Sequence, residues 1–422
     1  MADSRERRAA RLGQDEVAGG EVDTSAAEPE PAVGLAAGVG RLGHQPGLDG
    51  LRAMAIVTIM VVHAGYLLAP TYSDRLLPGG FIGVDLFFAL SGFLITTLLI
   101  EERTTTGGTG LRAFYRRRAL RLVPALVVVA LVHGVWALWV GITVERELLS
   151  LLAIAFYVSN WVQALGWPIA SGMGHTWSLA IEEQFYLVWP AVFLVIARRR
   201  LAPRQVLVAI GVLVVGVCVW RAIVWTDLRP DWPRAYVRTD LRLAALLAGV
   251  ALAFARAHGL LPTTLLRRLA PFAWLVFFVA VVTVHSDDDL MYFGGFSVVA
   301  AVSAVMVWSA CSTPLAGRVL SHPVAQWIGR RSYGLYLWHV PIYIAVGYAG
   351  HAALFRTSNP GHPWPLAVVV GSSIVATFVA AALSFRFVEQ PFLRRKVDGS
   401  GSPDLRAAAV APGSSASSAG AR

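Results

Sequence analysis

Apolar residues in this chain fall into long, nearly unbroken runs rather than the alternating or i, i+3, i+4 patterns of half-buried strands and surface helices. Eleven such segments lie near 51–69, 80–100, 123–140, 148–165, 178–197, 206–225, 240–255, 271–285, 292–310, 333–350 and 365–386. A helix needs about 20 apolar residues to cross ~30 Å of hydrocarbon, and these runs have lengths of that order. The pattern predicts an all-α, polytopic membrane helix bundle. The fourth segment is the weak one, because Asn160 and Gln163 interrupt it.

Charge at the ends of the runs predicts how they cross. Basic clusters stand at Arg112, Arg116–Arg118 and Arg121, at Arg198–Arg200 and Arg204, at Arg267 and Arg268, at Arg330 and Arg331, and at Arg394–Lys396. Such clusters favour the cytoplasmic side. If all eleven segments crossed, the clusters after the fourth would switch sides. If the fourth is re-entrant or interfacial, every cluster faces the cytoplasm. The expected topology is therefore about ten transmembrane helices, with both termini cytoplasmic, in the plasma membrane. Residues 1–45 and 397–422 lack periodicity and read as disordered tails around a membrane domain at 46–396. The first tail has no apolar stretch for a cleavable signal peptide, so Leu51–Leu68 is expected to act as both targeting signal and first span.

Composition narrows the function classes. Of 422 residues, 56% are hydrophobic and 15% charged, and the mean hydropathy is +0.59; a soluble domain carries about a quarter charged residues. The formal net charge is +10, but the arginines sit where they orient spans, so nucleic acid is not an expected partner. Cys218 and Cys311 lie within apolar runs and cannot build a disulfide framework or a cysteine metal site. No metal is expected. The absence of a G-x-S-x-G elbow, an H-E-x-x-H helix and a P-loop argues against soluble hydrolase, zincin and ATP-driven chemistry. Asp287, Asp288 and Asp289 read as a solvated acidic turn.

Ionisable groups inside spans cost at least ~2.5 kcal/mol each and need a reason. The first span contains Asp49, Arg52 and His63. Arg52 and His63 are eleven positions apart, about three turns, so they share a face roughly 16 Å apart along the axis. Asp49, three before Arg52, is spaced for an ion pair. A neutral imidazole is the usual general base for a hydroxyl proton. The second span holds Asp85 and Ser91 among Gly79, Gly80, Gly83 and Gly92. Arg116, Arg117, Arg118 and Arg121 lie on a surface helix where guanidiniums either anchor topology or grip phosphates. His175, Trp177, Glu182, Glu183, Gln184 and Tyr186 gather at the mouth of a later span. The adjacent carboxylates are expected on different helix faces, one towards the bundle to orient a histidine and one towards the outer loop. Arg238, Asp240 and Arg242 begin the seventh apolar segment. Ser332, Tyr336 and His339 cluster on one helix face, and Glu389 closes the membrane region.

Taken in order, LDGLRAMAIVTIMVVHA, GVDLFFALSGFLIT, FYRRRALRLVPAL, WSLAIEEQFYLVWP, SYGLYLWHVP and FVEQPFLRRK resemble the motifs of acyltransferase family 3 over roughly residues 46–396. The resemblance implies a membrane enzyme that takes an acyl group, commonly acetyl, from cytoplasmic acyl-CoA. It implies as acceptor a hydroxyl of a carbohydrate or a glycosylated small molecule, in a cell-envelope or secreted-product setting. It implies a catalytic role for His63, an essential one for Arg52, and site roles for Asp85, Ser91, Glu182 and Glu183, with His339 similarly placed. Many relatives carry a C-terminal hydrolase-like domain, which this chain is expected to lack. On this reading His63 deprotonates the acceptor or, in a variant the sequence does not separate, carries the acyl group as an acyl-histidine. Arg52, paired with Asp49 in the substrate site, holds anionic CoA groups or steadies the cytoplasmic entrance, and Arg116, Arg117, Arg118 and Arg121 draw in the CoA phosphates. Tyr336 or a backbone amide near Gly83 would meet the oxyanion. The alternative is a secondary transporter of a small polar solute, but its paired halves are not evident.

Overall fold

In hydrocarbon a backbone must satisfy its own N–H and C=O groups, and a continuous apolar run does so as a helix. The computed structural model describes residue 36 and residues 39–69, 77–169, 172–354 and 364–398. Within them every apolar segment except the fourth yields one long helix. In chain order the helices are α1 (Pro46–Leu68), α2 (Gly83–Thr106), α3 (Leu111–Trp139), α4 (Val144–Ala155), α5 (Ser159–Ala164), α6 (Trp177–Arg198), α7 (Pro203–Leu228) and α8 (Trp232–Tyr236). There follow α9 (Thr239–Ala257), α10 (Thr263–Thr283), α11 (Phe296–Ser312), α12 (Pro314–Leu320), α13 (Pro323–Arg330), α14 (Ser332–Leu354), α15 (Trp364–Ser384) and α16 (Gln390–Asp398). Among the described residues no strand occurs, and eight helices are long and apolar enough to cross a membrane. The chain is an all-α, multi-pass membrane bundle.

The bundle is sorted by burial. α2 is almost wholly enclosed, and its main partner is α9. Their crossing depends on two glycines that face each other's backbone. A Cβ on Gly92 would lie 2.0 Å from the Leu246 carbonyl oxygen, and one on Gly249 would lie 2.1 Å from that of Ala89. Small residues allow this approach where no hydrophobic force draws helices together. α7 and α10 form part of the rim, where Val208, Val212, Phe272 and Leu275 stand exposed in the isolated chain. Their apolar faces suit lipid.

The fourth segment departs from a single span. α4 has 12 residues, about 18 Å of helix, and α5 has six; neither reaches across ~30 Å. The chain breaks at Tyr157, whose φ of 55° is uncommon for a residue with a side chain. The polar residues that weaken the run explain its use. Asn160 Nδ2 donates to Thr239 Oγ1 at 2.8 Å, and Gln184 Nε2 donates to Asn160 Oδ1 at 2.9 Å. Gln163 Nε2 donates to the Gly174 carbonyl at 3.0 Å. The segment thus clamps the turn before α6 to α9 instead of crossing as one rod.

Part of the expected first tail is docked. Ala36 N–H donates to the Ala257 carbonyl at 2.8 Å, and Leu42 N–H to Glu101 Oε1 at 2.6 Å. Residues 1–35 and 399–422, and the loop at 355–363, lie outside the described residues. The acidic turn is locally consumed. Asp288 Oδ2 accepts the His285 N–H at 2.6 Å, while Asp289 takes Trp225 Nε1 at 2.9 Å and Arg229 at 2.7 Å.

Candidate active site

Helical spacing gathers polar groups around two spaces inside the bundle. Ser178, Glu182 and Tyr186 follow each other at i, i+4 and i+8 on α6, and Val84, Phe88 and Ser91 do so at i, i+4 and i+7 on α2. With Arg118 and Arg121 from α3, Arg52 from α1 and Tyr333 and Tyr336 from α14, they enclose a cavity of about 180 Å³. Its polar wall is interlocked. Ser91 Oγ and Tyr186 OH both donate to Glu182 Oε1. The Arg118 guanidinium carbon lies 3.4 Å from the Tyr186 ring centre, and Arg118 Nη2 is 3.7 Å from Glu183. Arg121 lines the same space and has no ion pair among the described residues.

A second cavity of about 160 Å³ lies further along α1, lined by His63, Tyr66, His175, Trp177, Trp232 and Tyr236 among others. Ile59, Val84, Ser178 and Tyr336 line both spaces and form the wall between them. His63 stands beside that wall, one turn beyond Ile59.

The hydrogen bonds around His63 assign its tautomer. A carbonyl only accepts, so His339 Nδ1, 2.7 Å from Tyr336 O and 3.1 Å from Leu335 O, carries a proton. In the neutral ring His339 Nε2 is then an acceptor, and it lies 3.0 Å from His63 Nδ1. His63 therefore donates through Nδ1, which leaves the lone pair on its Nε2. A base is presented by the buried histidine behind it. Tyr336 is fixed by the same logic. Its OH donates to the His175 carbonyl and so accepts from Ser178 Oγ at 2.9 Å. The His175 ring lies 5.1 Å from both Tyr336 and His339, centre to centre.

Comparisons with known proteins show the family of the chain. The family profile described as an acyltransferase domain matches residues 45–385. The chain belongs to this acyltransferase family. It is 33% identical over 366 residues to the peptidoglycan O-acetyltransferase OatA of Listeria monocytogenes, covering 82% of this chain and 55% of OatA. It is 33% identical over 370 residues to YrhL of Bacillus subtilis, covering 82% and 54%. A Staphylococcus aureus relative is 31% identical over 386 residues, covering 85% and 58%. The latter two carry provisional O-acetyltransferase names. The chain thus spans a little over half the length of the curated relatives it matches. No solved structure matches it.

Against this family background, the expected site residues divide. Arg52, Ser91, Arg118, Arg121, Glu182, Glu183 and Tyr336 line the arginine-rich cavity, and His63 the other. His339 lies behind His63. Asp49 lines neither; it holds Arg52 at 2.7 Å. Asp85 also lines neither. It is buried 3.0 Å from Arg242, whose guanidinium packs on Phe296, Tyr236 and Trp177. Arg117 turns to Glu102 at 3.1 Å, and neither it nor Arg116 lines the cavity. The two adjacent glutamates share one cavity instead of diverging, and neither reaches a histidine. Tyr336's proton is committed to a carbonyl, and the Gly83 N–H is committed to the Gly80 and Phe81 carbonyls. Neither is placed as an oxyanion donor. His175 is the addition: a histidine at the mouth of a span was visible in sequence, but nothing there tied it to His63 and His339. Among the described residues no cluster has the makings of a metal site.

Proposed function

We propose that this protein is an integral membrane O-acyltransferase that moves an acetyl group from acetyl-CoA to a hydroxyl of a cell-envelope carbohydrate. The observation that carries the reading is His63 at the wall between two cavities, with its Nε2 lone pair open. The relatives named for peptidoglycan O-acetylation supply the acyl group and the acceptor class.

The arginine-rich cavity takes the donor. At about 180 Å³ it is smaller than the ~300–1,000 Å³ of pockets that enclose whole drug-sized ligands. It accommodates the slender thioester arm, while Arg121 on its wall meets an anionic group of the donor. The acceptor hydroxyl enters from the other side. Its proton passes to His63 Nε2 as the oxygen attacks the thioester carbonyl. The C–S bond breaks, and the departing thiolate takes the proton from His63, so base and acid are the same group. No residue is left modified.

With α4 and α5 staying on one side, we read ten of the long helices as crossings. Their arginine-rich ends, at α3, α6, α10, α13 and α16, then share a face that the positive-inside rule assigns to the cytoplasm, together with both termini. Acetyl-CoA is drawn from that side. The test is transfer of radiolabelled acetyl from acetyl-CoA to glycan by the protein in proteoliposomes. His63→Ala should lower transfer by about 10²–10⁴-fold with membrane insertion intact. Unchanged transfer by His63→Ala would refute the mechanism, and solute uptake lost instead would identify a transporter.

A further inference from the structure

A buried imidazole normally hydrogen-bonds through at least one nitrogen, and leaving a polar group unpaired costs about 1–3 kcal/mol. His175 is 6% exposed, and neither ring nitrogen makes a well-aligned hydrogen bond, although the Tyr336 and Leu337 backbone lies beside the ring. Its placement is heavily specified nonetheless. Tyr336 holds its carbonyl, Gln163 holds the carbonyl of Gly174, and Gly172 supplies a φ of +97° beneath His133, where a Cβ would lie 2.9 Å from Nε2. The fold fixes this ring against the second cavity and leaves its nitrogens without a well-aligned partner.

The other walls of that cavity are aromatic. Tyr66, Trp177, Trp232 and Tyr236 line it beside His63, and among the described residues no carboxylate, lysine or arginine does. Aromatic faces with few polar groups suit a neutral, amphipathic ring whose C–H face stacks while its hydroxyls seek partners. Building on the acyl-transfer reading above, we infer that this cavity is the acceptor subsite, and that His175 hydrogen-bonds a sugar hydroxyl next to the one His63 deprotonates. His175 and His63 line one space, and His339, 5.1 Å from the His175 ring and 5.0 Å from the His63 ring, sets their separation. Two adjacent hydroxyls of one sugar ring match two imidazoles held in this way. His175 is then a binding residue that selects the acceptor and its attacking hydroxyl.

The test measures binding apart from transfer. Radiolabelled chitotetraose is titrated into the His63→Ala protein in nanodiscs by equilibrium dialysis, with acetyl-CoA titrated in parallel. Adding His175→Leu should weaken chitotetraose at least tenfold and leave acetyl-CoA within twofold. His175→Asn, which keeps a hydrogen-bonding side chain, should recover most of the loss. Trp232→Ala, at the half-buried edge of the cavity, should weaken chitotetraose in the same selective way and guards against misfolding of the histidine variant. Chitotetraose affinity unchanged in His175→Leu, equal loss of both ligands, or no saccharide binding in the parent protein would each overturn the inference. Saccharide binding that depends on His175, with no acetyl transfer by the wild-type protein, would sustain the subsite and refute the transferase reading.

Discussion

Each cavity is built on an arginine stacked against an aromatic ring, and the two differ in which partner faces the space. In the first, Arg118 and Tyr186 both line the wall, with Glu183 beside them. In the second, Trp177 and Tyr236 line the wall, and Arg242 packs among them away from the space, paired with Asp85. The same cation–π contact, worth up to about 2 kcal/mol when desolvated, thus yields an electropositive surface in one place and an apolar one in the other. An anionic thioester donor suits the first surface and a neutral sugar ring the second. On the proposed reading, the two substrates are kept apart by turning one structural unit inside out.

The largest expected effect falls on the hidden arginine. Removing one partner of a buried ion pair leaves an uncompensated charge and costs about 3–5 kcal/mol. Arg242→Met should therefore lower stability by that amount, read from denaturant unfolding in mild detergent. The double variant Asp85→Leu/Arg242→Met should recover most of it, because neither residue faces a cavity. If the double variant is stable but cannot bind acceptor, the pair also sets the shape of the aromatic wall. If the single variant is as stable as wild type, the buried pair is not a structural support.

Next comes the residue behind the base. His339→Ala removes the acceptor for His63 Nδ1–H, frees the ring to adopt the other tautomer, and should lower kcat about 10²-fold. His339→Gln supplies a carbonyl acceptor and should recover part of that loss, whereas a purely packing role predicts that His339→Phe recovers it better. Stopped-flow or steady-state transfer rates at saturating substrates distinguish the two.

How much of this was legible beforehand depended on sequence separation. Run length reports membrane thickness directly, so most long helices emerged near their apolar runs; α3 is the exception, because it starts at Leu111 and takes in the arginines expected on a separate surface helix. The Asp49–Arg52 pair followed from helical spacing alone. The fourth segment was recognised as weak from Asn160 and Gln163, but their partners Thr239 and Gly174 could not be foreseen, because no periodicity links them. The same holds for Ser91 with Glu182, Asp85 with Arg242, and His63 with His339, which meet only when the bundle closes. Arg116 and Arg117 show the converse. They share a cluster with Arg118 and Arg121, yet helical rotation points only the latter pair into the cavity.

Arg121 offers a smaller and more selective probe of the comparison. Its guanidinium lines the arginine-rich cavity without a direct ion pair among the described residues, so Arg121→Ala removes charge without breaking a salt bridge. The KM for acetyl-CoA should rise about tenfold, the size of one lost charge-assisted contact, and the effect should shrink as salt screens the wild-type attraction. The KM for saccharide should stay within twofold. A rise in saccharide KM instead would reverse the assignment of the two cavities.

The smallest effect concerns the wall itself. Glu182 Oε1 accepts from both Ser91 and Tyr186, so removing either donor leaves the carboxylate with the other. Tyr186→Phe and Ser91→Ala should each cost about 1 kcal/mol, the net value of one hydrogen bond. Tyr186→Phe keeps the ring beneath Arg118 and therefore preserves the cation–π contact. The double variant differs in kind, since it leaves a half-buried carboxylate with no neutral donor and must exceed the sum of the two. Unfolding measurements on the four proteins give the coupling directly. Strict additivity would mean that Glu182 is already satisfied by the nearby guanidiniums. The donor cavity would then owe its shape to charge, and the contrast with the aromatic cavity would be sharper than the hydrogen bonds alone suggest.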